Sequence, residues 1–202
     1  MKKLLLLLVT LAASAMVTGC VVTSVYPFYH QKDLAFESTL VGQWINPEQA
    51  TEHWVFEQEG TNAYRVTFSS GTNRVLLDGH LFRISGQLFL DLFNRHESDD
   101  MQPPPIPSHV LLRVSQLSPT LRFSELNYDW LKQVLASNPN ALRHHAVLSE
   151  EKPQDRRIVL TADTAELQKF LEHHLKTEEA WTHSFELKRN AAPLGTAPQK
   201  TR

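Results

Sequence analysis

The chain has 202 residues, 42% of them hydrophobic, with 20 basic against 22 acidic side chains and a formal charge of −2. That balance supplies no electrostatic footprint for nucleic acid or for anionic lipid head groups. A single cysteine, Cys20, excludes an internal disulfide, a thiolate metal cluster and a thiol nucleophile elsewhere in the chain.

The first predicted element is an export signal. Met1-Lys2-Lys3 supplies a charged start, Leu4 to Leu8 an apolar run, and Ala12, Ala13, Ser14 and Ala15 small residues behind it. The uncharged stretch from Leu4 to Val22 approaches the roughly 20 residues that span a bilayer, yet its ending argues for cleavage. Val17-Thr18-Gly19-Cys20 resembles the bacterial lipobox. The resemblance implies that residues 1–19 are a signal peptide that is removed, that the Cys20 thiol carries a diacylglycerol, and that the new amino terminus is acylated too. Lipidation at Cys20 makes the membrane a partner, and more than one chain matters because a single acyl chain holds only marginally, at about 0.8 kcal/mol per buried CH₂. In lipoproteins of this type an Asp after the Cys commonly retains the protein in the inner membrane. Val21 stands there instead, which favours the outer membrane of a diderm cell. Loss of Lys2 and Lys3 leaves 18 basic against 22 acidic residues, a mature charge of −4, so nucleic acid is not an expected partner.

Residues 20–39 read as a lipidated tether and docking segment, in which Tyr26, Phe28 and Tyr29 around Pro27 are expected to dock on the domain rather than move freely. A single β-rich domain is expected over 40–189. From Leu40 the period becomes two. Strands are predicted at Val41 to Ile45, Glu52 to Glu57, Tyr64 to Ser69, Val75 to Ile84, Leu88 to Phe93, His109 to Val114 and Leu121 to Leu126. Asn46-Pro47, Gly60-Thr61-Asn62, Ser70-Gly71-Thr72-Asn73, Ser85-Gly86 and Ser118-Pro119 between them carry turn chemistry. The acidic and proline-rich stretch Asn94 to Ser108 is predicted to be an exposed loop.

Two helices follow in the C-terminal third. One spans about Tyr128 to Ala136 behind the N-cap Asn127; the other follows a strand at Arg157 to Thr161, with Asp163 and Glu166 in capping-box spacing. A strand at His183 to Lys188 is expected to close the domain, and 190–202 reads as a disordered tail. The fold class is therefore α+β, mainly an antiparallel β meander, as an open sheet or a lipocalin-like barrel, with two helices in the C-terminal third.

Gly42-Gln43-Trp44 resembles the Gly-x-Trp motif of lipocalins, whose tryptophan plugs one end of an eight-stranded barrel. A wider set, Ser24-Val25-Tyr26-Pro27-Phe28-Tyr29, Lys32-Asp33-Leu34, Trp54-x-Phe56, His80-Leu81-Phe82, Phe89-Leu90-Asp91-Leu92-Phe93 and Ile158-Val159-Leu160-Thr161, looks like a family of uncharacterised bacterial lipoproteins. That likeness implies an anchor and no particular chemistry.

Ten histidines raise the question of metal. The pairs His144-His145 and His173-His174 diverge on a strand or a helix, and no His-x-His or His-Glu-x-x-His occurs, so no metal site or other cofactor is expected. Nor is there a Gly-x-Ser-x-Gly elbow or a glycine-rich phosphate cradle, and no catalytic residues are assigned. One polar pair stands out. If Ser85-Gly86 forms a two-residue hairpin loop, His80 lies opposite Asp91 on a face shared with Phe82, Phe89 and Phe93, and the carboxylate is expected to raise the imidazole pKa.

Three readings of function remain open. The first is an envelope binding or accessory module that holds an apolar or amphipathic ligand, or an envelope protein, against its sheet. The second is a structural or assembly lipoprotein without a pocket, and the third is a hydrolase. A dry cavity inside the sheet favours the first, a filled core the second, and a cleft with convergent His and carboxylate groups the third.

Overall fold

The computed structural model describes residues 21–94, 108–147, 157–182 and 184–190. The stretch read as a signal peptide, Cys20, the proline-rich stretch over 95–107 and the stretch over 191–202 read as a tail lie outside the described residues, as do 148–156 and His183.

Alternation builds the wall of a barrel. Strands β3 (Gly42–Ile45), β4 (Glu52–Glu59), β5 (Ala63–Ser70), β6 (Asn73–Ile84), β7 (Gln87–Asn94), β8 (His109–Gln116) and β9 (Thr120–Glu125) pair antiparallel, each with the next. β12 (Phe185–Arg189) then pairs with β9 on one edge and β3 on the other, so eight strands close without a free edge. The open-sheet alternative is thereby excluded. Between β6 and β7 the chain turns on Ser85 and Gly86 at φ of 48° and 85°. Two successive left-handed residues make a hairpin turn whose twist suits the flanking strands.

Side chains fill the interior. Trp44, Phe56, Tyr64, Leu81, Leu90 and Phe123 are each at most 1% exposed. Each such side chain contributes about 1.5–3 kcal/mol by leaving water. β7 is buried on both faces: Leu88, Leu90 and Leu92 join the interior, while Phe89 joins a second core outside the wall. Its near-continuous apolar run has that cause.

The second core lies under two helices inserted between β9 and β12. α1 (Tyr128–Ser137) starts at Asn127, whose side chain accepts the N–H groups of Asp129 and Trp130. α2 (Thr164–His174) starts at Asp163, which accepts the Glu166 N–H. Their apolar stripes, Leu131 and Leu135 from α1 and Leu167, Phe170 and Leu171 from α2, meet Phe82, Phe89 and Trp181 on the outside of the wall.

Three further strands were not foreseen as such. β2 (Leu34–Ala35) takes up the β6 edge beyond the point where β5 leaves it at Gly79. β10 (His144–Val147) pairs antiparallel with β11 (Arg157–Leu160), and β1 (Val21–Ser24) pairs parallel with β11. The segment read as a tether from residue 20 is thus a strand from residue 21. Its partner lies well over a hundred residues away, and four residues carry no period to reveal it. β1 touches β8 at one register position, Ser24 opposite His109, before β9 takes the same β8 edge from Leu112 onward. The β1–β11–β10 sheet therefore leaves the wall there and flanks the helices.

Candidate functional site

The register of the β6–β7 hairpin sets Ile84 against Gln87, Phe82 against Phe89 and His80 against Asp91. These outward residues sit beside the apolar second core, and His109 from β8 joins them there. Asp91 has no solvent exposure. Its Oδ1 lies 2.7 Å from His109 Nδ1, and its Oδ2 accepts the Phe28 N–H at 2.9 Å. With a carboxylate oxygen as the acceptor, the His109 Nδ1–H is the donor of this contact. The His109 ring stacks on Phe93, with centroids 4.7 Å apart.

His80, half-buried, stacks instead on Tyr29 at 4.8 Å. The expected rise in its pKa does not occur. Burial pushes it below the ordinary histidine value, and the opposing fields of Asp91 and Asp78 do not make up the difference. Burial, then the charges of Asp91 and Asp78, push the Tyr29 phenol up to about 12, so it stays protonated.

The aromatic segment after β1 covers this cluster. Phe28 is 1% exposed. Its N–H is held by Asp91, its carbonyl accepts from Gln168 Nε2 at 3.0 Å, and the Pro27 carbonyl accepts from Thr164 Oγ1 at 2.8 Å. Asp91 therefore ties together β7, β8 and the chain leading from the amino terminus, with α2 as backing. A carboxylate so enclosed can fix geometry; it presents no open face to a substrate.

A second feature is open. A groove of about 810 Å³ runs between α1 and α2, lined among others by Val134, Leu142, Arg143, Lys169, Phe170 and His174. Arg143 is oriented by Glu166 at 2.8 Å and Asp163 at 3.1 Å. His174 rests against Phe170 and Trp130, with centroids 4.6 and 4.8 Å away. Burial, then the neighbouring His173, lowers its pKa. The groove combines an apolar floor, with Phe170 in it, and a rim of mixed charge, Arg143 and Lys169 beside Glu166 and Glu172, the lining of a site for an amphipathic group or a polar protein surface.

The third feature closes the barrel. Trp44 donates its indole N–H to the Leu40 carbonyl at 2.8 Å, and the Arg189 guanidinium lies over its ring at 4.4 Å. Arg189 also donates to the carbonyls of Val41 and Thr39.

Of the residues singled out from sequence, His80 and Asp91 share one face, whereas Cys20 lies outside the described residues. His109 and Arg189 were missed. A histidine opening the otherwise apolar strand His109 to Val114 was a usable signal for the first; nothing local marked the second. Among the described residues, no three His, Cys, Asp or Glu side chains are grouped to hold a metal ion. In comparisons with protein-family models, curated proteins and solved structures, nothing matched this chain.

Proposed function

We propose that the protein is a lipid-anchored accessory module of the cell envelope that engages its partner or ligand on its outer, helix-bearing surface. An eight-stranded barrel is an architecture compatible with a binding module. The observation that carries the reading is the filled interior: Trp44, Phe56, Tyr64 and Phe123 occupy the space where a barrel of this size would hold a small ligand, which favours an interaction module without an internal pocket over one that binds inside the sheet. Recognition is thereby moved to the outside, where the groove between α1 and α2 offers an apolar floor and a rim of mixed charge. The lipobox resemblance at Cys20 supports the anchor, and Val21 supports placement on the outer membrane. The enclosed Asp91 cluster serves this module as a structural tie.

The test is site-specific photo-crosslinking in the native host, with the probe at Lys169 in the groove or at Glu57 on the opposite barrel wall. Adducts confined to the Lys169 probe are the expected result. Adducts from Glu57 alone, or a stoichiometric apolar molecule seen by native mass spectrometry and released only when the barrel unfolds, would overturn it. Cys20→Ala is expected to abolish fatty-acid labelling, and undiminished labelling would remove the anchor from the proposal.

A further inference from the structure

We infer that the edge of the β1–β11–β10 sheet at Val21 and Arg157 is the face that lies against the bilayer, held there without a leash. The inference rests on the anchor reading of Cys20. Most of its content, however, comes from the strand pairing immediately after that residue.

β1 begins at Val21, and Val21 is already in register with Arg157 of β11, which in turn pairs with Val147 of β10. From there to the barrel the chain has no free stretch. Val22, Thr23 and Ser24 stay in the sheet, the Val25 N–H is bound to the Leu160 carbonyl at 3.0 Å, and the Phe28 N–H is bound to Asp91. One peptide unit, about 3.8 Å between Cα atoms, separates an acylated Cys20 from this sheet. Neighbouring strands lie about 4.8 Å apart. The Cα of Arg157 is then held within roughly 10 Å of the lipidated residue, at head-group depth for an anchor whose acyl chains are in the membrane. Arg157 is exposed. A guanidinium there can meet the phosphate of a phospholipid head group with two parallel hydrogen bonds. β4 lies four strands from β8 in either direction around the barrel, on the wall opposite the one that β1 meets at Ser24.

The experiment uses the full acylated chain reconstituted in vesicles of phosphatidylethanolamine and phosphatidylglycerol. Because the Cys20 sulfur is consumed by its lipid, Arg157→Cys and Glu57→Cys each offer one free thiol for a fluorophore. Doxyl-labelled lipid is expected to quench the probe at position 157 several-fold more than that at 57. A ten-residue Gly/Ser insertion between Cys20 and Val21, which adds a reach of roughly 17–19 Å, is expected to abolish the difference. Equal quenching at both positions, or indifference to the insertion, overturns the fixed orientation while leaving the anchor intact. Absence of the diacylglyceryl mass on Cys20 overturns the anchor reading and the orientation with it.

Discussion

At Asp91, two donors from different parts of the chain converge on one carboxylate with no exposure. Removing the carboxylate leaves the Phe28 N–H and the His109 Nδ1–H buried without an acceptor, at about 1–3 kcal/mol each, so Asp91→Leu is expected to cost about 2–6 kcal/mol. Asp91→Asn, which keeps one acceptor oxygen, should cost less, about 1–3 kcal/mol. Urea unfolding of a double-mutant cycle at Asp91 and His109 is expected to give a coupling above that for Asp91 and His80; equal couplings would contradict the geometry. His80 makes a separate prediction. Its pKa in the fold is lowered by burial, while in the unfolded chain it returns to about 6.5. Protonation therefore favours unfolding: the contribution of a neutral His80 is complete above that value and is lost as pH falls through the folded-state value. Asp91, Asp78 and Glu59 oppose this, His109 adds to it, and Tyr29 remains neutral. His80→Phe should flatten the loss of stability below pH 6.5 seen in chemical denaturation, with a residual slope from His174. An unchanged slope would argue against a neutral buried His80. The opposition of His80 and Asp91 was legible because a two-residue turn sets register locally. The His109 contact was not, since the stretch over 95–107 hides the register between β7 and β8.

Among the elements, β3 shows most directly how a strand end is locked. Gly42 has φ of +134°, and a Cβ there would sit 2.5 Å from Arg189 Nη1. Backbone of that kind costs a non-glycine residue about 1–3 kcal/mol. Gly42→Ala is expected to lose at least that much and to displace the guanidinium from Trp44. Near-UV circular dichroism reports the indole environment, and a wild-type spectrum with unchanged unfolding midpoint would count against the lock. Sequence carried Gly42 and Trp44 because they are two residues apart. It could not carry Arg189, which reaches them only after β12 has closed the barrel. The meander strands were legible to within a few residues through alternation and turn chemistry. β10 was not, because His144-His145-Ala146-Val147 has neither period nor a strong apolar face.

For the molecule as a whole, closure and covering divide the work. The barrel closes on itself through β12, and the helices with the β1–β11–β10 sheet cover one side of it, which makes the amino-terminal strand part of the folded body rather than a linker to it. From sequence, 20–39 reads as a tether and docking segment ahead of a domain over 40–189, so β1 is not expected to belong to the folded body. With Val22 buried in the second core and four register positions shared with β11, removal of 21–23 should still leave a closed barrel, but a weaker molecule. Loss of the Val22 side chain alone is worth about 1.5–3 kcal/mol. At about 2–4 °C of melting temperature per kcal/mol for a chain of this size, a form beginning at Ser24 is expected to melt roughly 3–12 °C below one beginning at Val21. The difference should be largest in hydrogen exchange of β11, which loses one of its two neighbours, and smallest in β4 on the far wall. Coincident melting curves for the two forms would show that β1 is a passive lead-in, and would weaken the case that the anchor is rigidly coupled to the domain.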